Sequence, residues 1–245
     1  MTKICAITEK GNHPKNEDRI LVNDVIVDCC SYETECDAGI RVCIADGVGG
    51  NNAGAVASSF ICEALKDRDV INKDNLLSTN TRLISKSVEN ANYDRMASTL
   101  SGVLLSENHA SLFHIGNTRV YVFQGNYLKQ VTEDHTTVNW LLKTGKISKK
   151  DAETYDKRNE ITACFGGGNP SLVNSLVFED NNEAIKNSKR IIITSDGVHE
   201  YVSIDEMEDI FNNEEAEPLI ACQTIIDKAK LNGSEDDKSI VIINK

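Results

Sequence analysis

The sequence predicts an α+β fold in which antiparallel sheets are covered by helices. Three observations carry this: short β-branched apolar stretches recur along the chain, helical patterns arrive as consecutive pairs, and the two do not alternate one for one as a parallel sheet requires. At 245 residues the chain is long enough for one large domain, expected to span 1–245.

Strands are expected at 3–8, 20–27, 40–45, 99–106, 110–115 and 119–124, where β-branched and apolar residues run between turn formers. Three more are expected at 172–178, 190–194 and 239–243. A helix is expected over 52–66, because Ala53, Val56, Ala57, Phe60, Ile61 and Ala64 share one face, and its neighbour over 74–95. The second pair falls at 203–211 and 217–230, with Ser203 and Glu206 spaced as a capping box. The Lys-rich segment 136–160 reads as a flap-like helical insertion broken at Gly145, and 181–188 as an exposed polar loop.

Hydrophobic residues at 40% and charged residues at 26% suit a chain that packs a core. Lys and Arg number 26 against 38 Asp and Glu, and the net charge of -12 repels nucleic-acid phosphates, so nucleic acid is not an expected partner. The first residues lack the apolar run of a signal peptide, and no stretch approaches the ~18 apolar residues of a membrane span. The eight cysteines form no CxxC pair for zinc, and reduced thiols in the cytoplasm are the simplest expectation.

Four aspartates, Asp18, Asp46, Asp196 and Asp236, stand where a strand meets a loop, the place where rigid scaffolds present functional groups. Asp46 and Asp196 are each followed by Gly and Val, so the backbone beside each carboxylate can approach a ligand closely. A lone Asp-Gly is ordinarily a turn. Two of them ending apolar strands, with Gly49-Gly50 opening an amphipathic helix, point to a site instead. Converging carboxylates repel one another unless cations lie between them. Oxygen-only ligands select hard ions such as Mg or Mn. Two such ions sharing one carboxylate lower the pKa of a bridging water and neutralise charge on a phosphoryl group.

Eight segments in order carry a family resemblance: Asn16-Glu17-Asp18-Arg19, Asp46-Gly47-Val48-Gly49-Gly50, Ser98-Thr99-Leu100 and Ile115-Gly116-Asn117-Thr118-Arg119-Val120-Tyr121 come first. Val131-Thr132-Glu133-Asp134-His135-Thr136, Gly166-Gly167-Gly168, Thr194-Ser195-Asp196-Gly197-Val198 and Ser234-Glu235-Asp236-Asp237-Lys238-Ser239 follow. Together they resemble the protein phosphatase 2C family of metal-dependent serine/threonine phosphatases, in its compact bacterial form. The resemblance implies a four-layer α/β/β/α sandwich and a dinuclear Mn or Mg site. It implies that Asp46 bridges both ions, the Gly47 carbonyl helps bind one, Asp196 and Asp236 hold the other, and Asp18 acts through water with Glu17 behind it. Phosphoserine or phosphothreonine in proteins, the products of a serine/threonine kinase, would be attacked by the bridging water without a phosphoenzyme.

Two positions depart from the family pattern. His13 stands where the family commonly has a phosphate-binding Arg, with Lys15 nearby as an alternative charge. Asn117 replaces an Asp associated with a third metal, so a third site is expected to be weak or absent, and Asn117 itself is read as only making the turn between two strands. His135 is expected to orient the flap rather than act as an acid, and Arg119 and Arg158 to form ion pairs. Two rival readings stay open: a phosphatase-like binding module without turnover, and a hydrolase of small phosphate esters or phosphohistidine.

Overall fold

A computed structural model describes residues 1–37, 39–49, 53–66, 68, 70–213 and 216–245. Gly50 and Asn52, which belong to the predicted motif and helix start, lie outside the described residues. The first half of the chain forms β1 (Thr2–Glu9), β2 (Asp18–Val22), β3 (Val25–Val27), β4 (Cys30–Cys36), β5 (Ile40–Val48), α1 (Ala53–Lys66) and α2 (Lys73–Glu89). It continues through β6 (Ala97–Ser98), β7 (Leu100–Leu105), β8 (Ala110–Ile115), β9 (Arg119–Gln124), β10 (Tyr127–Gln130), α3 (Thr137–Lys143) and α4 (Lys149–Glu153). The remainder forms β11 (Phe165–Gly166), β12 (Val177–Glu179), α5 (Glu183–Asn187), β13 (Arg190–Thr194), α6 (Asp196–His199), α7 (Ile204–Phe211), α8 (Pro218–Leu231) and β14 (Lys238–Asn244).

The strands build two antiparallel sheets. One runs β10-β9-β13-β14-β1-β4; the other runs β11-β6-β5-β7-β8-β12, with β2 paired to β5 and β3 to β2. Alternation along each strand divides the apolar residues among three cores. Ile4 and Ala6 of β1, Val42 and Ile44 of β5, and Ile191 and Ile193 of β13 meet between the sheets. Cys43 and Ala45 turn the other way, onto Ala57, Ile61 and Leu65 of α1 and Leu76 and Leu83 of α2. Cys5, Ile7 and Ile192 face Met207 and Phe211 of α7 and Ile225 and Ile226 of α8. Strands apolar on both faces therefore enforce four layers: helices, sheet, sheet, helices. Ser203 caps α7, with Glu206 closing the box as its spacing predicts.

Several local expectations are corrected. The stretch 20–27 is a hairpin rather than one strand, because Asn23 takes a left-handed φ of 52° and turns β2 into β3. The stretch 172–178 is mostly a 3-10 helix (Pro170–Ser175) started by Asn169 and Pro170, with only β12 extended after it. The polar run 181–188 contains α5, capped by Asn182 and anchored by the fully buried Ile185. The helix expected over 74–95 stops at Glu89, where Asn90 becomes extended and caps the next turn. β4 was not expected: CSYETEC lies at a sheet edge, and its burial is too weak to leave an apolar alternation.

The insertion holds α3 and α4, with Gly145 at φ 68° between them. Arg119 grips Asp134 through Nη2 at 2.6 Å and Nε at 2.9 Å, and its Nη2 lies 3.4 Å from Glu200. Arg158, from the insertion, reaches the same Glu200 at 3.0 Å. Both arginines are ion-pairing residues. His135 stacks on His114 with ring centroids 4.8 Å apart, and burial holds the His114 imidazole down at about 4, hence neutral.

Candidate active site

β2 starts at Asp18 and pairs with β5 so that Asp18 lies directly opposite Asp46. Opposed residues of an antiparallel pair project to one face, and like charges placed so are destabilising. Asp18 is only 1% exposed, and the Ser195 hydroxyl donates to its Oδ2 at 2.7 Å. Ser195 accepts in turn from the Ser239 N–H at 3.0 Å, so the residue after β13, itself fixed by β14, holds Asp18. The Asp46 backbone is fixed by Thr99: its N–H donates to Thr99 Oγ1 at 3.1 Å and its carbonyl accepts the Thr99 N–H at 2.9 Å. That is the local work of the Ser98-Thr99-Leu100 segment.

Asp196 opens α6 directly after β13, rather than sitting in a loop as expected. The turn between β8 and β9 brings Asn117 against it, and the Asn117 Nδ2 donates to Asp196 Oδ2 at 2.9 Å. Asn117 is thus more than a turn former. The loop before β14 crosses α6 at Gly197, where an added Cβ would lie 2.0 Å from the Asp237 carbonyl oxygen. That close approach sets Asp236 beside Asp196.

These carboxylates perturb one another. Burial, then repulsion from Asp196, Asp18 and Asp236, pushes Asp46 well above the ordinary carboxylate range. Burial lifts Asp18 to about 8, against the hydroxyls of Ser239 and Ser195 and with repulsion from Asp237 and Asp196. Burial and repulsion from Asp236 lift Asp196 to about 6, against the Asn117 hydrogen bond. Among the described residues no Lys or Arg ion-pairs with Asp18, Asp46, Asp196 or Asp236. His13 Nδ1 lies 3.8 Å from Asp236, and Lys238 Nζ donates to the Asp236 main-chain oxygen. A carboxylate cluster that no Lys or Arg side chain neutralises among the described residues fits hard divalent cations.

Glu17 lies behind this cluster. Its Oε1 accepts the Ala55 N–H in the first turn of α1 at 3.4 Å, its carbonyl accepts the Ser58 hydroxyl at 2.5 Å, and burial raises its carboxyl. Gly47 and Gly54 let β5 and α1 touch: a Cβ on Gly54 would lie 2.6 Å from the Gly47 carbonyl oxygen. Gly54→Ala is expected to cost about 2 kcal/mol in urea denaturation. It should also weaken Mn binding in calorimetry, because the strand end bearing Gly47 has to move.

The structure separates the two phosphate-binding candidates. His13 leans on the aspartates, 3.5 Å from Asp237 Oδ2, whereas Lys15 lines a different cleft along α1. Two residues went unassigned in the sequence. Asp237, 3% exposed, accepts the N–H groups of Gly11 at 2.7 Å and Glu17 at 2.6 Å, and Ser195 bonds to Asp18. Their only sequence signal was adjacency to Asp236 and Asp196.

A fold of two antiparallel sheets between helix layers, with a carboxylate cluster on the strand ends, is that of the bacterial phosphatases. The serine/threonine phosphatase Stp1 from Staphylococcus aureus superposes with a TM-score of 0.83 at 24% identity, over 100% of this chain and 95% of that one. A bacterial serine phosphatase superposes at 0.81 with 25% identity, over 98% and 96%. In sequence, the serine/threonine phosphatase stp of Listeria welshimeri is 27% identical over 217 residues, 83% of this chain and 84% of that protein. The protein phosphatase PhpP of Streptococcus pneumoniae is 25% identical over 215 residues, 83% of this chain and 85% of that protein. The family model for protein phosphatase 2C matches residues 23–231, and the chain belongs to that family.

Proposed function

We propose that this chain hydrolyses phosphoserine and phosphothreonine in proteins, using two divalent cations, Mn or Mg. The supporting observation is the Asp18, Asp46, Asp196 and Asp236 cluster, whose mutual repulsion no Lys or Arg ion pair relieves among the described residues. Asp46, the Gly47 carbonyl, Asp196 and Asp236 would hold the ions directly and Asp18 through water, with Glu17 bracing the loop. Bound there, the cations supply charge neutralisation at the phosphoryl group and a water acidified for attack.

The chain's own groups orient that machinery. Ser195 occupies Asp18 Oδ2 and leaves Oδ1 for the site, and Asn117 occupies Asp196 Oδ2. Because a neutral amide sits beside Asp196, a third metal site is weak or absent. No cysteine nucleophile is proposed: none of the eight cysteines is followed by a glycine-rich, arginine-ended loop, and Cys5, Cys43, Cys62, Cys164 and Cys222 are buried. Substrate phosphate is met by His13 or Lys15. The partners are phosphoproteins made by a serine/threonine kinase, the working compartment is the cytoplasm, and residues 136–160 act as a flap on a single 1–245 domain. Among the described residues no helix is long and apolar enough to cross a membrane.

The test is release of phosphate from a phosphothreonine peptide and from p-nitrophenyl phosphate, with Mn and after EDTA. Both rates should fall at least about a hundredfold on chelation and return when Mn is restored. Turnover indifferent to EDTA, or none with Mn present, contradicts the reading.

A further inference from the structure

Beside the aspartates, the outer face of α1 carries a second, oppositely charged feature. A cleft of about 530 Å³ is lined by Lys15, Arg19, Phe60, Glu63, Lys86 and Tyr93, among others. The Lys86 ammonium lies 5.0 Å from the centre of the Phe60 ring, and the Arg82 guanidinium lies 5.4 Å from it. Arg19 spends Nη1 on the carbonyls of Asn16 and Asp18, at 2.8 and 2.6 Å, which orient its charge without neutralising it. Among the described residues no carboxylate ion-pairs with Lys15, Arg19, Arg82 or Lys86, and Glu63 is the one acid on the wall. Elsewhere some cations meet carboxylates, as Arg119, Arg158, Lys228 and Lys3 do, while others such as Arg41 and Arg190 bond to backbone carbonyls.

A cationic cleft in a chain of net charge -12 is a local inversion of the surface potential. It also shares backbone segments with the carboxylate cluster. Lys15 and Arg19 bracket Glu17 and Asp18 in sequence, and Ala55, whose N–H reaches Glu17, lines the cleft itself.

We propose that this cleft selects substrates by acidic residues flanking the phosphorylated position. Lys15 and Lys86 meet the carboxylates, and the Phe60 and Tyr93 rings support the aliphatic parts of the chain. The inference rests on the phosphatase reading for its substrate, so its test carries an arm independent of turnover.

Two phosphothreonine peptides identical except for Asp and Glu flanks or Lys flanks are compared on the wild type and on Lys86→Glu. The acidic peptide should have a KM about five- to tenfold lower at low salt, with similar kcat, and the gap should close at high salt. Lys86→Glu should erase the preference and leave p-nitrophenyl phosphate hydrolysis unchanged. Equal KM values in the wild type, or a preference that Lys86→Glu leaves intact, overturn the proposal. In parallel, fluorescence anisotropy of the unphosphorylated labelled acidic peptide reads the cleft without chemistry. If p-nitrophenyl phosphate is not hydrolysed at all, the phosphatase reading falls. Loss of peptide binding in Lys86→Glu then still upholds the acidic cleft, and binding equal to that of the Lys-flanked peptide refutes it.

Discussion

Asp46→Asn is expected to lower Mn-dependent turnover at least about a thousandfold while making the metal-free protein more stable. The two effects have one cause. Asp46 faces Asp18 across paired strands and is raised well above the ordinary carboxylate range by burial and by Asp196, Asp18 and Asp236. An amide keeps the shape and the backbone bonds to Thr99 but removes a charge that cations need and the empty fold tolerates badly. The pH dependence follows with a definite sign. Asp196 is lifted to about 6 and Asp18 to about 8, whereas an unfolded chain titrates aspartate near ~4. Between these values the folded state holds more protons than the unfolded one, so stability declines as pH rises. It is fully present below about pH 4 and is lost through about 6 and about 8. Urea melts in EDTA at pH 5 and pH 8 should differ for the wild type and differ less for Asp46→Asn. Adding Mn at pH 8 should raise the wild-type melting temperature and leave the variant's nearly unmoved. Turnover within tenfold of wild type, or an equal Mn shift, would remove Asp46 from its assigned role.

Much of this was legible because it is written in period and punctuation. Ile191 to Ile193 and Val42 to Ala45 are apolar at every position, which only a strand covered on both faces explains, and that implies layers on either side. Asp46 and Asp196 were visible for the same reason, each following a buried run, whereas Asp18 follows a polar loop and Asp236 precedes its strand. What escaped notice was set by partners far along the chain. Ile185 anchors α5 inside a polar run, and β4 is held by backbone pairing with β1 rather than by its own side chains. Asn117 looked like a lost ligand because its partner, Asp196, lies 79 residues away. His13 and Lys15 are neighbours in sequence, yet the loop turns them to different surfaces.

Asp237→Ala is expected to destabilise the protein by about 3 kcal/mol or more and to reduce turnover at least about a hundredfold, although Asp237 need not touch a metal or substrate. Its two oxygens accept the N–H groups of Gly11 and Glu17, 226 and 220 residues away, and it is 3% exposed. Hydrogen bonds to a charged acceptor contribute about 1.5–3 kcal/mol each, and alanine leaves the buried Glu17 N–H and the partly buried Gly11 N–H without that acceptor. The loop cannot recover by shifting toward the 234–237 segment, because a Cβ at Gly11 would already lie 2.2 Å from the Glu235 carbonyl oxygen. Asp237→Asn, with one acceptor oxygen, should recover at most about half of the stability. Asp236→Ala makes the decisive contrast. Asp236 is half-exposed, and its carboxylate lies by Asp196 and His13 but does not take the Gly11 or Glu17 N–H, so its loss should abolish Mn-dependent turnover while leaving the urea midpoint near or above wild type. Adjacent identical residues would then divide the labour, one carboxylate for cations and one for the backbone that presents Asp18. A melt of Asp237→Ala within 1 kcal/mol of wild type, or a collapse of Asp236→Ala, would show that the division is drawn wrongly.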